Sequence, residues 1–210
     1  MDYDRFLAKV QPYPIFGPEV CYELWGSKEA CQLQLIRWSK AKKIIRLKKG
    51  LYTLPNIRNC YTFSFQWLAN TLYSPSYLSL EYALSWHGMI PERVQAFTSV
   101  STLKTQAFQN PLGTFIYRHV KKDLFFGFEE KKDSYGVLIL LANPEKALLD
   151  FIYLHDHFEP KIVFFQKNLR LQQVQKLRKT YLKSYAKRFD SPKMDKAVSL
   201  ILELVDKKYV

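Results

Sequence analysis

Apolar residues along the first forty positions recur at helical spacing, and then the period shortens to that of strands. Phe6, Val10 and Phe16 surround a Pro12-Tyr13-Pro14 break. Pro18 to Trp25 reads as a short helix opened by proline and closed by Gly26. Ser27 is an N-cap type, and from Lys28 to about Lys42 the residues Cys31, Leu35 and Trp38 fall at i, i+4 and i+7 on one helical face. Ile44–Leu47 and Leu51–Leu54 are rich in β-formers. They are joined through Lys48-Lys49-Gly50, whose glycine permits the positive φ of a tight hairpin. Helix, short helix, turn, longer helix and hairpin, closed by Pro55, predict a winged helix-turn-helix whose third helix enters a major groove.

The next stretch, 56–70, reads as a connecting segment that becomes helical near Phe65–Asn70, and Ser79–His87 reads as a helix ending at Gly88. Phe97–Ser101, Thr114–Val120, Leu124–Phe128 and Tyr135–Leu141 are candidate strands, separated by Asn110-Pro111, Lys121-Lys122-Asp123 and Lys131-Lys132-Asp133. Glu145–His155 resumes a helix. After Pro160 the pattern is helical and basic, with Val174, Leu177, Tyr181 and Tyr185 along one stripe and Lys176, Lys179, Lys183 and Lys187 on other faces; Lys193–Asp206 forms a last helix. The expected fold class is α+β. It comprises a winged helix-turn-helix over 1–55, a mixed domain with an antiparallel sheet over 56–160, and a basic helical extension over 161–210 packed on that domain.

Charge sharpens this division. The chain carries 32 Lys and Arg against 19 Asp and Glu, a net +13. Residues 1–55 hold 10 basic and 5 acidic groups, 56–160 hold 9 and 10, and 161–210 hold 13 and 4. Two basic ends flanking a neutral middle point to anionic partners, phosphate polymers first. The N-terminus has no apolar signal core, and the longest apolar run, Val137–Ala142, is far short of the roughly 20 residues of a membrane span. A soluble, cytoplasmic protein without a membrane partner is expected. Cys21, Cys31 and Cys60 are odd in number and lack a C-x-x-C spacing, which favours reduced, buried thiols over a disulfide framework or a zinc site.

The strongest chemical feature is the run from Arg37 to Lys49. Arg37, Lys40, Lys42, Lys43, Arg46, Lys48 and Lys49 occur there with no acidic residue, whereas a merely solvated face normally interleaves Glu and Asp. On the end of a third helix and a wing, these cations would lie along a phosphate backbone. Ser27, Lys28, Gln32 and Arg37 stand at or along the helix that would face the bases; Arg is suited to guanine and Gln to adenine. The DNA-binding set expected is therefore Ser27, Lys28, Gln32, Arg37, Lys40, Lys43, Arg46, Lys48 and Lys49. Leu33 and Ile36 lie nearly opposite the Cys31/Leu35/Trp38 stripe, so part of this helix's outer surface is apolar and calls for a cover; packing on the second domain or a partner subunit would leave the helix start and the wing for DNA.

Catalytic signals are sparse. Asp123, Glu129 and Lys131 have the residue types of a magnesium-dependent nuclease, but Glu129-Glu130-Lys131-Lys132-Asp133 reads equally as a charged hairpin turn. His155 and His157 are two apart and would diverge on a helix. Tyr61, Phe63, Phe65, Trp67, Tyr73 and Tyr77 lack interleaved cations, which favours packing over stacking on single-stranded bases. No phosphate loop, nucleophile elbow or zinc-protease helix occurs. No enzyme activity, catalytic residue, cofactor or metal is expected. A defence-system nuclease and an adaptor binding an acidic partner through its basic helices stand as the alternatives.

Four blocks in order resemble one family. Lys40-Ala41-Lys42-Lys43-Ile44-Ile45-Arg46-Leu47-Lys48-Lys49-Gly50-Leu51-Tyr52-Thr53-Leu54-Pro55 resembles the wing of AbiEi-type antitoxins of type IV toxin–antitoxin (abortive infection) systems. Ala69-Asn70, Tyr73 to Leu84 and Gly88-Met89-Ile90-Pro91-Glu92 are similar to the opening of that family's second domain. Gly113 to Val120 with Phe125-Phe126-Gly127-Phe128 resembles its β-region, and Asn143-Pro144-Glu145-Lys146-Ala147-Leu148-Leu149-Asp150 resembles the block that follows. The resemblance spans roughly residues 1–155. It implies a repressor of its own operon, bound to double-stranded promoter DNA; operator recognition often uses two copies on an inverted repeat, either as a preformed dimer or as monomers that meet on DNA. It also implies an antitoxin that counters a nucleotidyltransferase toxin without an obligatory stable complex. Lys42 stands where the family carries a small glycine.

Overall fold

A computed structural model describes residues 2–56, 63–155 and 158–206; the expectations placed on Cys60, Tyr61 and His157 fall outside the described residues. The chain divides into two units, Met1–Phe65 with Phe108–Thr114, and Gln66–Ala107 with Phe115–Val210.

The first unit opens with helix α1 (Tyr3–Val10), capped by the Asp2 carboxylate accepting from the Asp4 amide at 3.0 Å. A 3-10 turn, Pro18–Cys21, leads into the single-turn α2 (Tyr22–Trp25), which stops at Gly26 with φ +67°. Ser27 then caps α3 (Lys28–Lys40), its Oγ accepting from the Ala30 amide at 3.1 Å. Strands β1 (Ile45–Lys48) and β2 (Leu51–Thr53) form an antiparallel hairpin with Ile45 opposite Thr53 and Arg46 opposite Tyr52, irregular between Arg46 and Lys48. Tyr52 also exchanges both backbone hydrogen bonds with Phe16, at 2.9 Å each, and Thr53 Oγ1 donates to the Pro14 carbonyl. The outer edge of β2 is thereby tied to the segment between α1 and α2.

An aromatic core holds these pieces. Phe6 packs on Trp38 with centroids 4.5 Å apart and on Phe16 at 5.7 Å, and Trp25 meets Trp38 edge-on at 5.7 Å. Cys31 and Leu35 are fully buried beside them, as the i, i+4, i+7 spacing predicts. Burial keeps the Cys21 and Cys31 thiols protonated, pushing Cys21 up to about 12 and Cys31 up to about 11.

The second unit is α+β, with its helices packed on a six-stranded sheet of order β5-β6-β4-β3-β8-β7. The strands are β3 (Ser76–Leu78), β4 (Phe97–Ser101), β5 (Gln106–Asn110), β6 (Gly113–His119), β7 (Phe128–Lys132) and β8 (Leu138–Ala142), with the β5–β6 tip, Phe108–Thr114, falling in the first unit. β3 is antiparallel to β4, and β7 to β8, while β3–β8 and β4–β6 run parallel. Helix Pro144–Leu154 is the unit's central support: every residue from Glu145 to Ile152 is buried, and helices Leu80–Trp86 and Lys179–Lys187 pack against it. A last helix spans Pro192–Asp206, with Met194, Ala197, Val198, Ile201 and Leu204 buried. No helix among the described residues is long and apolar enough to cross a membrane.

Four local expectations are corrected. Leu124–Phe128 is not a strand: Lys122–Leu124 is a 3-10 turn and β7 begins at Phe128. Glu129 to Lys132, read as a charged turn, are therefore strand residues. β7 is the sheet's edge, where charged side chains suit a strand open to solvent on most of its surface. The turn itself lies at Asp133, whose Oδ1 accepts from the Tyr135 and Val137 amides at 2.9 and 3.0 Å, so β8 starts at Leu138 rather than Tyr135. Finally, the helical stripe expected from Val174 to Tyr185 is broken. Val174–Lys176 is a 3-10 turn, and with the helix starting afresh at Lys179 the buried positions become Leu182 and Ala186, leaving Tyr181 exposed.

Candidate nucleic-acid interface

The burial of Cys31, Leu35 and Trp38 fixes which way α3 faces. Positions 29, 33, 36, 37 and 40 lie on the opposite side of the helical wheel, and Glu29, Leu33, Ile36, Arg37 and Lys40 are all exposed. Gln32 is exposed on the flank of this stripe. Lys28 is exposed in the first turn with its ammonium 5.6 Å from the centroid of the Tyr22 ring. Ser27 is exposed, its oxygen engaged in the helix cap.

At its C-terminal end α3 turns directly into the hairpin. The Lys42 amide donates to Ser39 O at 3.1 Å and the Lys43 amide to Trp38 O at 2.9 Å, the bond pattern of a Schellman motif. Lys42 takes the left-handed position of that motif, with φ +58°. The motif explains the glycine of the resembled family at this place, since only glycine adopts the conformation without a Cβ penalty. Lys43 is held next to α1: its carbonyl accepts from Tyr3 Oη at 2.9 Å and its ammonium sits 4.7 Å from the Tyr3 ring centroid.

From there the cations continue onto the hairpin. Arg46 on β1 and Lys49 in the turn are exposed, and Gly50 closes the turn with φ +75°. Lys48 differs: it is half-buried, with its ammonium 5.8 Å from the Phe108 ring centroid, and burial holds it below the ordinary lysine range. Leu47 is buried and its carbonyl accepts from Asn110 Nδ2 at 3.1 Å. Arg37, Lys40, Lys42, Lys43, Arg46 and Lys49 form no ion pair among the described residues. A cleft of about 450 Å³ lies beside this run, lined by Ser39, Lys42, Ile44, Arg46, Pro55 and Pro111. The arrangement is an exposed helix face, a helix end and a hairpin joined by one unneutralised cationic run.

The nuclease-type residues are placed otherwise. Glu129 pairs with Lys131 at 3.0 Å on the exposed surface of β7, Asp123 sits exposed in the Lys122–Leu124 turn, and no group of three His, Cys, Asp or Glu among the described residues could hold a metal ion.

The second unit gathers polar groups at positions where the sequence carries no site motif. Lys146 and Asp150 form a fully buried ion pair one helical turn apart. Asp150 Oδ2 accepts from Tyr77 Oη at 2.9 Å and Ser79 Oγ at 2.8 Å, and Lys146 Nζ donates to Tyr77 Oη at 2.9 Å. The rings of Phe126 and Phe189 enclose the ammonium at 4.8 and 5.2 Å. Gly127, φ +73°, packs so closely on the aliphatic stem of Lys146 that a Cβ there would lie 2.9 Å from Lys146 Cγ. Burial depresses Lys146 against the pull of Asp150, and burial also lifts Tyr77 well above its ordinary value. Neighbouring Glu145, also buried, accepts from the Arg178 amide at 2.7 Å and from its guanidinium at 3.2 and 3.3 Å, tying the C-terminal segment to the helix. Being closed to solvent, this cluster organises the unit instead of meeting a ligand. Its polar residues come from segments 77–79 and 146–150 and its apolar walls from 126–127 and Phe189, stretches that a linear reading has no physical reason to bring together.

No protein-family model matches the chain, and no curated protein matches it.

Proposed function

We propose that the protein is a cytoplasmic, DNA-binding transcriptional regulator. In this reading the first unit is a winged helix-turn-helix, α3 is the helix offered to the major groove, and the β1–β2 hairpin is the wing. The observation that carries the reading is the run of exposed cations, Arg37, Lys40, Lys43, Arg46 and Lys49, that leads from the outward face of α3 onto the hairpin with no ion pair among the described residues. Such a row on a small unit suits the two phosphate ridges that flank a groove, and each contact releases condensed counterions.

The resemblance to AbiEi-type antitoxins extends the proposal. The chain would repress its own promoter and counter a nucleotidyltransferase toxin without a lasting complex. The resembled segments of the second unit meet around Lys146 and Asp150, which supports reading them as parts of one domain. An adaptor reading has one observation in its favour: Lys176, Lys183 and Lys187 are exposed and unpaired among the described residues, a surface suited to an acidic partner.

The test is a titration of the full chain against duplex DNA from upstream of its own gene at several salt concentrations. Tight binding that weakens steeply as salt rises is expected; absence of binding at low salt contradicts the proposal.

A further inference from the structure

The outward face of α3 carries two large apolar side chains at its centre. Leu33 is 57% exposed and Ile36 is 38% exposed. They are three residues apart and therefore neighbours on the helix surface. Single exposed apolar residues are ordinary, but this pair occupies the middle of a helix face that the core leaves outward, with Arg37 and Lys40 adjoining it and Lys43, Arg46 and Lys49 following. Glu29 is the only acid on this stripe, in the first turn.

Whatever covers the pair must be apolar at its centre and anionic around it. A second copy of this chain is apolar at the same place but fails on charge: apposing two such faces brings like-charged rows together, and two side chains per copy form far too small a patch for a stable dimer. Duplex DNA satisfies both. Its phosphates answer the cations, and the apolar groups on the floor of its major groove are the C5 methyls of thymine. Gln32, exposed on the flank of the same face, has the paired donor and acceptor that address the adenine of an A·T pair.

We infer that α3 selects A·T base pairs, Leu33 and Ile36 packing on thymine methyl groups in the major groove. The inference rests on the DNA-binding reading and deepens it by naming what the helix recognises. Leu33 and Ile36 are the specificity-determining positions, while the cations around them supply affinity that is blind to sequence.

The test uses the full chain and duplexes selected by it from a randomised 20-bp library, followed by anisotropy titrations at fixed salt. The selected duplexes are expected to share A·T steps. Replacing their dT by dU removes only the methyl, and binding is expected to weaken about fourfold for each methyl buried. The double variant Leu33→Ser, Ile36→Ser is expected to bind dT and dU duplexes alike and to lose the preference for A·T over G·C duplexes of equal length. Equal binding of dT and dU duplexes by the wild type overturns the inference and leaves DNA binding standing. Failure to bind any duplex at low salt overturns both. A self-association seen by sedimentation velocity, and abolished by the double variant, overturns the inference in favour of an interface between copies.

Discussion

Lys146 donates to Asp150 across one turn of helix Pro144–Leu154, and neither side chain has any exposed surface. The pair is tolerable because its remaining hydrogen-bonding capacity is used: Tyr77 and Ser79 hold the carboxylate, and Tyr77 with the Phe126 and Phe189 rings surrounds the ammonium.

Removing one partner alone leaves the other charge buried and unanswered. Lys146→Met and Asp150→Leu are each expected to cost about 3–5 kcal/mol of stability. The double variant is expected to cost less than the sum, because no buried charge remains. Urea unfolding of the three proteins measures this, and strict additivity would refute the coupling.

At the end of α3 the left-handed Lys42 stands in a position suited to glycine. Lys42→Gly is expected to raise stability by about 1 kcal/mol, while Lys42→Ala, which keeps the Cβ, leaves it within about 0.5 kcal/mol. The two urea midpoints decide the matter; equal values for both variants would show that this residue carries no strain.

His87, at the end of helix Leu80–Trp86, is held below its ordinary pKa chiefly by burial, against the opposing pull of its Nε2 bond to the Ala142 carbonyl at 2.8 Å. The unfolded chain therefore takes up the proton first as pH falls. The neutral ring's contribution to stability is complete above about pH 6.5 and is lost progressively below it. Thermal melts from pH 7.5 to 5 are expected to show His87→Gln losing less stability than the wild type over this range. Parallel pH profiles would exclude His87 as a source of the dependence.

The first unit is legible in the sequence because its signals are local. Ser27 and Gly26 mark a helix boundary, and Cys31, Leu35 and Trp38 keep one period for a whole helix. Gly50 marks a hairpin turn. The cationic run can be read for the same reason, being contiguous from Arg37 to Lys49. What the sequence hides is set by pairing at a distance. β3 is three residues long and buried throughout, so it shows no alternation, and β5 is a polar edge strand that shows no apolar pattern. Glu129 to Lys132 look like a turn until β8 is seen beside them. The partial burial of Lys48 is equally hidden, since Phe108 lies sixty residues away in the chain.

Whether the cations at the end of α3 and on the hairpin lie on phosphates is decided by the slope of log affinity against log salt. The slope is measured for the full chain and for the triple variant Lys43→Ala, Arg46→Ala, Lys49→Ala, on the same duplex. All three side chains are exposed and form no ion pair among the described residues, and the Tyr3 hydroxyl keeps its bond to the Lys43 carbonyl when the Lys43 side chain is cut back, so the variant is expected to remain folded by circular dichroism. Its slope is expected to be shallower by about 2.7, roughly 0.9 for each phosphate no longer neutralised. A folded variant with an unchanged slope would contradict the placement of these cations on the DNA backbone.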